Sequence, residues 1–424
     1  GRNLILSFDG TSNQYGKKNT NVIELHGRIK DGNQLRYYNS GIGTYARPSW
    51  RSYNYWKQVI NNKIDLAIAW NFEKGVFAGY RWLSNHYRPG DKIFLFGFSR
   101  GAYQVRTLAG MIDRVGLLLP GNEEQIPFAF ELYADLKGQS ENKTLKFFKG
   151  TFSQVDVKVH FLGAWDTVSS VGLIRGRNLP KTDEFNSSIC YFRHALALDE
   201  RRVKYLPEYV CGGMSMTEQP EHNNATQADG GKLVPRVKEV WFAGCHSDIN
   251  ETLDNAAVPV LWMGNEANLA GLRLRPSTVE WDWEELKQNK PVKSLRSVWR
   301  WFELWPFKRL SYDDRSSTTW WPHLKEGRVI KPGQKIHASV AFIEDYKPKA
   351  NFAEGMTQKT WDDILKKGKQ DEIFWTKEIQ EILEMDLFDH LNVKTIIDEL
   401  IQDMENFQLI GRLEFLASTR MFSL

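Results

Sequence analysis

The sequence predicts an α/β fold whose mostly parallel central sheet is flanked by helices. Short apolar runs alternate with longer stretches of helical periodicity, and each run ends in a turn that contains glycine or aspartate. In a parallel sheet such turns meet at the carboxyl edge, where open α/β sheets bind ligands. The four apolar runs that predict strands lie at residues 4–8, 93–96, 157–162 and 237–242.

Helical periodicity fills the stretches between these runs. Apolar residues from position 76 to 87 recur three or four residues apart, which predicts one face of a helix that ends before Pro89 and Gly90. A second helix is predicted directly behind Ser99, because residues 102–109 contain no helix breaker.

Changes in composition divide the chain into three predicted regions. Residues 1–274 form the core of the fold, in which the polar segments 120–150, 172–190 and 212–235 are interpreted as inserted loops or caps. Residues 275–350 are rich in tryptophan and basic residues and are predicted to form a cap or lid that returns to the core. Residues 351–424 become charged, with apolar residues at near-helical spacing, which predicts a C-terminal helical extension.

The overall composition is that of a globular protein. Hydrophobic residues make up 42% and charged residues 25% of the 424 residues, which excludes disordered, collagen-like and low-complexity classes. No run reaches the length of uninterrupted apolar residues that a membrane-spanning helix requires. The formal net charge of +4 is too small to predict a nucleic-acid partner.

Cysteine content and the first residues bear on the compartment. Cys190, Cys211 and Cys245 are too few for a disulfide framework and lack CxxC spacing, which favours a reducing compartment and argues against a zinc site. The opening residues, GRNLILSFDG, do not have the layout of a signal peptide. We therefore expect a soluble cytoplasmic protein, with secretion or peripheral attachment to a membrane as the alternatives.

The sharpest chemical signal is Gly97-Phe98-Ser99-Arg100-Gly101, which lies between a predicted strand and a predicted helix. A serine nucleophile on such a turn needs glycines two residues to either side, because larger side chains would collide across the turn. The pattern predicts a nucleophile elbow that presents the Ser99 hydroxyl at the sheet edge and the Arg100 N–H to an oxyanion. The alternative is a tight structural turn in which the serine is incidental.

A nucleophilic serine needs a base, and the base needs an acid to orient it. The strands predicted at 157–162 and 237–242 run into Asp166 and His246, so both side chains should reach the same edge as Ser99. A capping or core histidine is the alternative for His246. Asp199 is a competing acid, but its segment, RHALALDERR, is interpreted as a salt-bridged helix packed against the sheet.

The first strand brings Asp9, Gly10 and Thr11 to this edge. Their loop can supply a second oxyanion N–H, and Asp9 can hold the loop or the helix behind Ser99 in place. A phosphatase with a DxDGT motif is the rival interpretation, but serine at position 7 replaces the nucleophilic aspartate, and no magnesium cluster is evident. We expect the site to need no metal and no cofactor.

Eight segments of the chain resemble one known family. They are FDGTSN, YYNSGIGT, GFSRGAY, FLGAWDTVSSVG, RHALALDERR, WFAGCHSD, IHASV and YKP, which follow one another in the family's order over about residues 3–348. The family is a group of α/β hydrolases, long catalogued as a domain of unknown function, that includes type VI secretion phospholipase effectors and many fungal proteins. The tryptophan-rich segment and the sequence PGQKIHASV resemble the fungal branch of the family more than the secretion effectors.

The resemblance implies an α/β-hydrolase fold, a triad of Ser99, Asp166 and His246, and hydrolysis of carboxylic esters, most notably of phospholipids. One departure is that Ile249-Asn250-Glu251-Thr252 follows the histidine motif, where the family commonly has valine and a glycine-rich turn. We expect a serine esterase or lipase with an ester or lipid substrate and peripheral contact with anionic membranes. A catalytically silent binding or scaffold protein of the same fold is the alternative.

Overall fold

A computed structural model of the chain describes the central sheet, its flanking helices and most of the turns between them. The described residues are 1–10, 19–41, 63–135, 143–154, 156–168, 188–210, 225–227, 233–249, 257–276, 287–288, 291, 294–295, 309–310, 318–319, 323–353, 361–362, 365 and 421–423. Much of the predicted tryptophan-rich cap and most of the predicted C-terminal extension lie outside these residues. The region boundaries at 274 and 350 therefore stay predictions.

The central sheet has eight strands, and seven of them run parallel. Their order across the sheet is β8-β7-β6-β5-β4-β3-β1-β2, and only β8 at the edge runs antiparallel to its neighbour. The α/β class with a mostly parallel sheet is thereby confirmed. The strands are β1 (Asn3–Phe8), β2 (Gln34–Asn39), β3 (Lys92–Phe98), β4 (Val159–Trp165), β5 (Ile189–Ala197), β6 (Val237–Phe242), β7 (Lys335–His337) and β8 (Met421–Ser423).

Helices cover both faces of the sheet. They are α1 (Asn21–Gly27), α2 (Lys63–His86), α3 (Arg100–Val115), α4 (Ile126–Ala134), α5 (Lys143–Phe152) and α6 (Ala257–Leu269). Short strand pairs outside the central sheet join Leu117–Leu118 with Ser153–Gln154, Ala225–Gln227 with Leu233–Pro235, Arg309–Leu310 with Thr318–Thr319 and Val329–Ile330 with Asn351–Phe352. Within the described part of the chain, no helix combines the length and apolar character that a membrane span requires.

The strands are apolar on both faces because both faces are covered. In β1, Leu4, Leu6 and Phe8 pack into the core beneath α2 and α3, whereas Ile5 packs into the core beneath α1 and α6. This explains why the strands appear in the sequence as continuous apolar runs, which is the pattern of buried parallel strands. All four strands predicted from such runs are present.

The first half of the segment RHALALDERR, residues 193–197, lies in a strand and not in the predicted helix. It supplies most of β5, which lies in the middle of the sheet between β4 and β6. The charged residues inside the strand are buried against partners on neighbouring elements. Arg193 pairs with Glu266 of α6, which also binds Lys238 of β6, and His194 contacts Glu239 of β6. Since these partners neutralise its charges, the strand can run through the core.

The polar segment at 120–150 is also more ordered than a loop. Residues Ile126, Ala129, Phe130 and Tyr133 follow one another at helical spacing and are buried in α4. The interpretation as a loop was wrong for Ile126–Ala134, because this apolar stripe docks a short helix on the core, while Phe128 on the opposite side is 47% exposed.

Asp199, just past the end of β5, fastens two loops to the sheet edge. Its carboxylate accepts hydrogen bonds from the backbone N–H groups of Gly244 (3.0 Å) and Lys349 (3.1 Å) and from the hydroxyl of Tyr346 (2.5 Å). Burial raises the pKa of Asp199 to about 6, against the opposing effect of these hydrogen bonds. Asp199 is thus a structural carboxyl group whose ionisation is unfavourable in the folded protein.

We expect Asp199→Asn to be most costly near pH 4. The amide oxygen cannot accept hydrogen bonds from three donors, so the variant loses stability. A carboxyl group with a raised pKa in the folded protein contributes stability at low pH that is lost as the pH rises through about 6. Between pH 4 and 7, urea unfolding should therefore show the stability deficit of the variant, relative to the wild-type protein, shrinking by about 2 kcal/mol.

The exposed aspartate Asp31 provides the matched control. Asp31→Asn should change the unfolding free energy by less than about 0.5 kcal/mol at every pH, because its ion pairs lie on the surface. If the difference in unfolding free energy between Asp199→Asn and the wild-type protein stayed constant between pH 4 and 7, ionisation of Asp199 would not be unfavourable in the folded protein.

Candidate active site

Ser99 lies on a strained turn between β3 and α3. Its backbone has φ 57° and ψ −120°, a conformation that residues with a side chain rarely adopt. The Ser99 N–H donates to the carbonyl of Trp165 on β4 (2.9 Å), and its carbonyl accepts from the N–H of Tyr103 in α3 (3.2 Å). These bonds hold the serine at the carboxyl edge of the sheet.

The glycines on either side of Ser99 have no room for a side chain. A Cβ atom on Gly97 would lie 2.5 Å from the carbonyl oxygen of Gly101 across the turn. A Cβ atom on Gly101 would lie 2.3 Å from the carbonyl oxygen of Phe8, at the end of β1. The GxSxG spacing is therefore a packing requirement, since the helix after Ser99 touches the backbone of the first strand.

His246 contacts Ser99 on one side of its ring and Asp166 on the other. Its Nε2 lies 2.8 Å from the Ser99 Oγ, and its Nδ1 makes a short hydrogen bond to the Asp166 carboxylate. The ring lies between Phe98 and Tyr205, with centroid distances of 4.7 and 4.8 Å. Of the two acids considered from the sequence, Asp166 contacts the histidine, whereas the described contacts of Asp199 lie elsewhere.

Asp166 follows β4 and is completely buried. Its N–H donates to the carbonyl of Ala195 (2.8 Å), and its Oδ1 accepts from the N–H of Ala197 (3.0 Å). Burial alone would raise the pKa of Asp166, but the Arg328 guanidinium and the hydrogen bond from His246 outweigh it and hold the pKa well below its usual range. Asp166 is therefore an anion at neutral pH.

Arg328 is a member of this site that the sequence did not suggest. Its Nη1 lies 2.5 Å from Oδ1 of Asp166 and its Nη2 lies 2.9 Å from Oδ2. The same guanidinium donates to the carbonyl oxygens of Ala197 (3.0 Å) and Tyr205 (2.6 Å). No local signal marks it, because a single arginine in the stretch KEGRVI reads as an ordinary charged residue.

The loop that carries His246 is held at both ends. The carboxylate of Glu200 accepts the His246 N–H (3.3 Å), and the Asp248 carboxylate accepts the N–H of Cys245 (2.8 Å). Ile249, the first residue of the stretch that departs from the pattern described in the sequence analysis, is fully buried, and its carbonyl accepts a hydrogen bond from the Asn21 side chain (2.7 Å). The departure from the family pattern leaves the loop anchored up to Ile249, and Asn250 to Thr252 lie outside the described residues.

The loop after β1 is held by the Asp9 carboxylate. It accepts hydrogen bonds from Thr20 Oγ1 (2.7 Å), from the Tyr38 hydroxyl (2.9 Å) and from the N–H of Gly10 (2.6 Å). The Gly10 N–H is thus engaged by its neighbour, which does not favour it as an oxyanion donor. Thr11, the third predicted residue of this loop, lies outside the described residues.

Arg100 is the first residue of α3, directly behind Ser99. The first N–H groups of a helix have no acceptor within the helix, so they can donate to an anion at this end. Burial lowers the pKa of the Arg100 side chain. Among the described residues, no group of histidine, cysteine and carboxylate side chains has an arrangement that could hold a metal ion.

Comparison with known families identifies the fold and its relatives. The family model for the catalytic domain of Tle1-like phospholipase effectors of the type VI secretion system matches residues 2–266, more than half of the chain. The chain belongs to this family. The resemblance to type VI secretion phospholipase effectors that the sequence motifs predicted is thereby confirmed, and the mostly parallel sheet described above belongs to this Tle1-like catalytic domain.

One relative is an uncharacterized protein of Saccharomyces cerevisiae, which is 37% identical over 279 residues. The matched part is 59% of this Tle1-like chain but 41% of the yeast protein, so the chain spans less than half of that relative's length.

Two solved structures align with part of this Tle1-like chain. A crystal structure of an uncharacterized protein from Pseudomonas aeruginosa shares 18% identity, covers 64% of this chain and 46% of that one, and gives a TM-score of 0.33. A Tle1 effector bound to the VgrG spike of the type 6 secretion system shares 18% identity, covers 58% and 50%, and gives a TM-score of 0.31. Scores this low assign no property of either protein to this chain.

The close packing of Gly101 on β1 can be tested by adding one methyl group. We expect Gly101→Ala to lower the unfolding free energy by about 1–3 kcal/mol, because the strand end or the helix must move to admit the Cβ atom. Gly150→Ala is the matched control in α5, where a Cβ atom would meet nothing within 4 Å. The control should gain up to about 1 kcal/mol in urea unfolding, and equal effects of both variants would contradict the close approach.

Proposed function

We propose that the protein is a serine hydrolase that cleaves carboxylic esters, with lipid or phospholipid acyl esters as its substrates. The observation that carries this proposal is the chain of hydrogen bonds from Ser99 through His246 to the buried Asp166, set on the strained turn of Ser99. Serine, histidine and aspartate in this order of contact form the arrangement that activates a serine hydroxyl.

The contacts define a role for each atom. Because Asp166 is an anion, Nδ1 of His246 carries a proton and donates it to the carboxylate, which leaves Nε2 free to accept the proton of the Ser99 hydroxyl. The Ser99 Oγ then attacks the ester carbonyl carbon, and His246 returns the proton to the departing alcohol oxygen. Water, activated by the same imidazole, hydrolyses the resulting acyl-enzyme and restores Ser99.

The negative charge on the carbonyl oxygen needs N–H donors during attack. The Arg100 N–H is our first donor, because it follows Ser99 at the amino end of α3. The second donor belongs to the loop of Asp9, Gly10 and Thr11. Since the Gly10 N–H is bound to Asp9, Thr11 is the better candidate of the two, and Asp9 has the role of holding the loop.

The choice of substrate rests on the family. Phospholipase effectors are named in the family description, which supports hydrolysis of a lipid ester. The acyl-enzyme mechanism and the specific residues are supported by the geometry of the site.

Single substitutions in the triad test the mechanism. Ser99→Ala and His246→Ala should each lower esterase turnover by about 10⁴-fold or more, and the double variant should lose little further, since the residues act as a unit. Asp166→Asn should cost roughly 10³- to 10⁴-fold, because it favours the wrong histidine tautomer. Turnover is measured on acyl esters, and Ser99 is followed by covalent labelling with a fluorophosphonate probe.

Ser84→Ala is the matched control for the loss of a buried serine hydroxyl. Ser84 donates to the Leu118 carbonyl (2.7 Å) in another part of the core, so this variant should lose stability and keep its activity. Absence of labelling in the wild-type protein would favour the catalytically silent scaffold. Near-normal turnover of His246→Ala would exclude it as the base.

We also propose a peripheral contact with anionic membranes through the predicted cap. Seven tryptophans interleaved with basic residues fall within about forty positions of the sequence, and indoles with nearby cations favour the headgroup region of anionic lipid. These residues lie outside the described part of the chain, and a packed cap core is the alternative. The tryptophans are Trp281, Trp283, Trp299, Trp301, Trp305, Trp320 and Trp321.

Vesicle co-sedimentation tests this contact. Binding should rise with the fraction of anionic lipid and fall at high salt, because salt screens the attraction. The double substitution of Trp299 and Trp301 by alanine should weaken it, whereas Phe147→Ala should not, although Phe147 is an aromatic side chain that is 74% exposed on α5. Equal binding of the double variant and the wild-type protein would remove the cap as the membrane face.

A further inference from the structure

The Asp166 carboxylate is shared between a histidine and an arginine. Both of its oxygens contact the Arg328 guanidinium, at 2.5 and 2.9 Å, and Oδ2 also accepts the hydrogen bond from His246. Arg328 and Asp166 are both almost completely buried, so water screens their attraction little. The charge that would stabilise a protonated imidazole is therefore already balanced by a cation.

Charged groups from several elements surround the imidazole. Asp166 follows β4, and Glu200 follows β5 and accepts the His246 N–H. The Glu200 carboxylate is itself paired with Arg202, whose guanidinium lies over the Tyr205 ring. The charged or titratable groups near His246 from the remaining packed elements are Arg100 at the start of α3, Tyr205, Cys245 and Asp248 of the histidine loop, and Arg328.

Each of the two buried anions nearest to His246 thus has its own arginine. Glu200 is paired with Arg202, and Asp166 is paired with Arg328. Without Arg328, Asp166 would be a buried anion that lacks its paired cation. Among the contacts described for its carboxylate, the remaining group that can carry a positive charge is the imidazole of His246. A buried carboxylate without compensation is strongly unfavourable, so the imidazole would take up a proton at higher pH.

We propose that Arg328 is a positioning residue for the site. By balancing the charge of Asp166, it lets His246 stay neutral, and so able to accept a proton, at a lower pH than it could if Arg328 were absent. This inference rests on the proposed function, in which His246 is the base. The bidentate contact also fixes the plane of the carboxylate, so that Oδ2 points at Nδ1 of His246 while Oδ1 accepts the Ala197 N–H. Arg328 acts through Asp166, and no described contact joins it to Ser99.

Arg328 comes from a part of the chain beyond the family match, which ends at residue 266. Its backbone carbonyl accepts the N–H of Asn351 (2.8 Å), and the next residue, Val329, accepts the Tyr209 hydroxyl (2.7 Å). The segment that carries the guanidinium is therefore docked on the sheet edge at fixed points. The pH range in which His246 is neutral would therefore depend on this segment.

The test is the protonation of His246 in Arg328→Gln, read by NMR of histidines labelled with ¹³C at the ring carbons. The His246 resonance is assigned by its loss in His246→Gln. We expect the midpoint of its titration to rise by about one pH unit or more relative to the wild-type protein. The acid limb of fluorophosphonate labelling at Ser99 should move in the same direction and by a similar amount.

Arg193→Gln is the matched control, because Arg193 is another buried guanidinium paired with a carboxylate, that of Glu266. It should lose stability without moving the His246 titration. Arg328→Lys keeps the charge but cannot bind both oxygens in the same planar way. In Arg328→Lys, His246 should titrate with the wild-type midpoint. The fluorophosphonate probe should label Ser99 at least about tenfold more slowly, since the Asp166 carboxylate is less well oriented.

The outcomes separate this inference from the proposed function. The NMR titration needs no turnover, so an unchanged midpoint in folded Arg328→Gln overturns the role of Arg328 even where Ser99 is labelled. Should Arg328→Gln not fold, Arg328→Lys decides instead: labelling of Ser99 at the wild-type rate overturns the orienting role of the bidentate contact, and a raised His246 midpoint overturns the role of the charge. Absence of labelling in the wild-type protein, together with a raised midpoint in Arg328→Gln, refutes the hydrolase and leaves the electrostatic pairing standing.

Discussion

The buried carboxylate of Asp166 is the interaction on which the rest of the site depends. It receives hydrogen bonds from the backbone of β5, from the histidine loop and from Arg328. Three distant parts of the chain therefore converge on one pair of oxygen atoms. A buried anion in this position is stable only because all of these donors are present. The donors stabilise the carboxylate, and the carboxylate in turn holds the chain segments that carry them at the strand ends.

A second constraint is the close contact between the turn of Ser99 and the first strand. Gly101 touches the backbone of Phe8, and the loop after Phe8 is held by the side chain of Asp9. The position of the serine is thus set by the packing of backbone on backbone, which leaves little freedom. Such rigidity suits the proposed role of Ser99, because a nucleophile must lie within hydrogen-bond distance of its base before the substrate arrives.

The structural unit extends beyond the residues that the family model matches. The match ends at residue 266, whereas β7 at Lys335–His337 extends the sheet and Arg328 completes the contacts of Asp166. Asp199 binds the backbone of Lys349 and the hydroxyl of Tyr346 in the same late segment. A shortened protein that ended near residue 266 would lose two strands of the sheet, β7 and β8, and would leave both carboxylates without part of their donors.

The sequence by itself determined the features that depend on local pattern. Apolar runs that end in glycine or aspartate located four strands and brought Ser99, Asp166 and His246 to one edge, where the structure has them in contact. Only the tertiary structure decided where charge could be buried. The alternating charges from Asp199 to Arg202 made this segment resemble a helix, whereas Arg193 and His194 are buried in β5 against Glu266 and Glu239, which are distant in sequence. Arg328 was overlooked for the same reason, since a buried arginine differs from a surface arginine only in the carboxylate that the fold places against it.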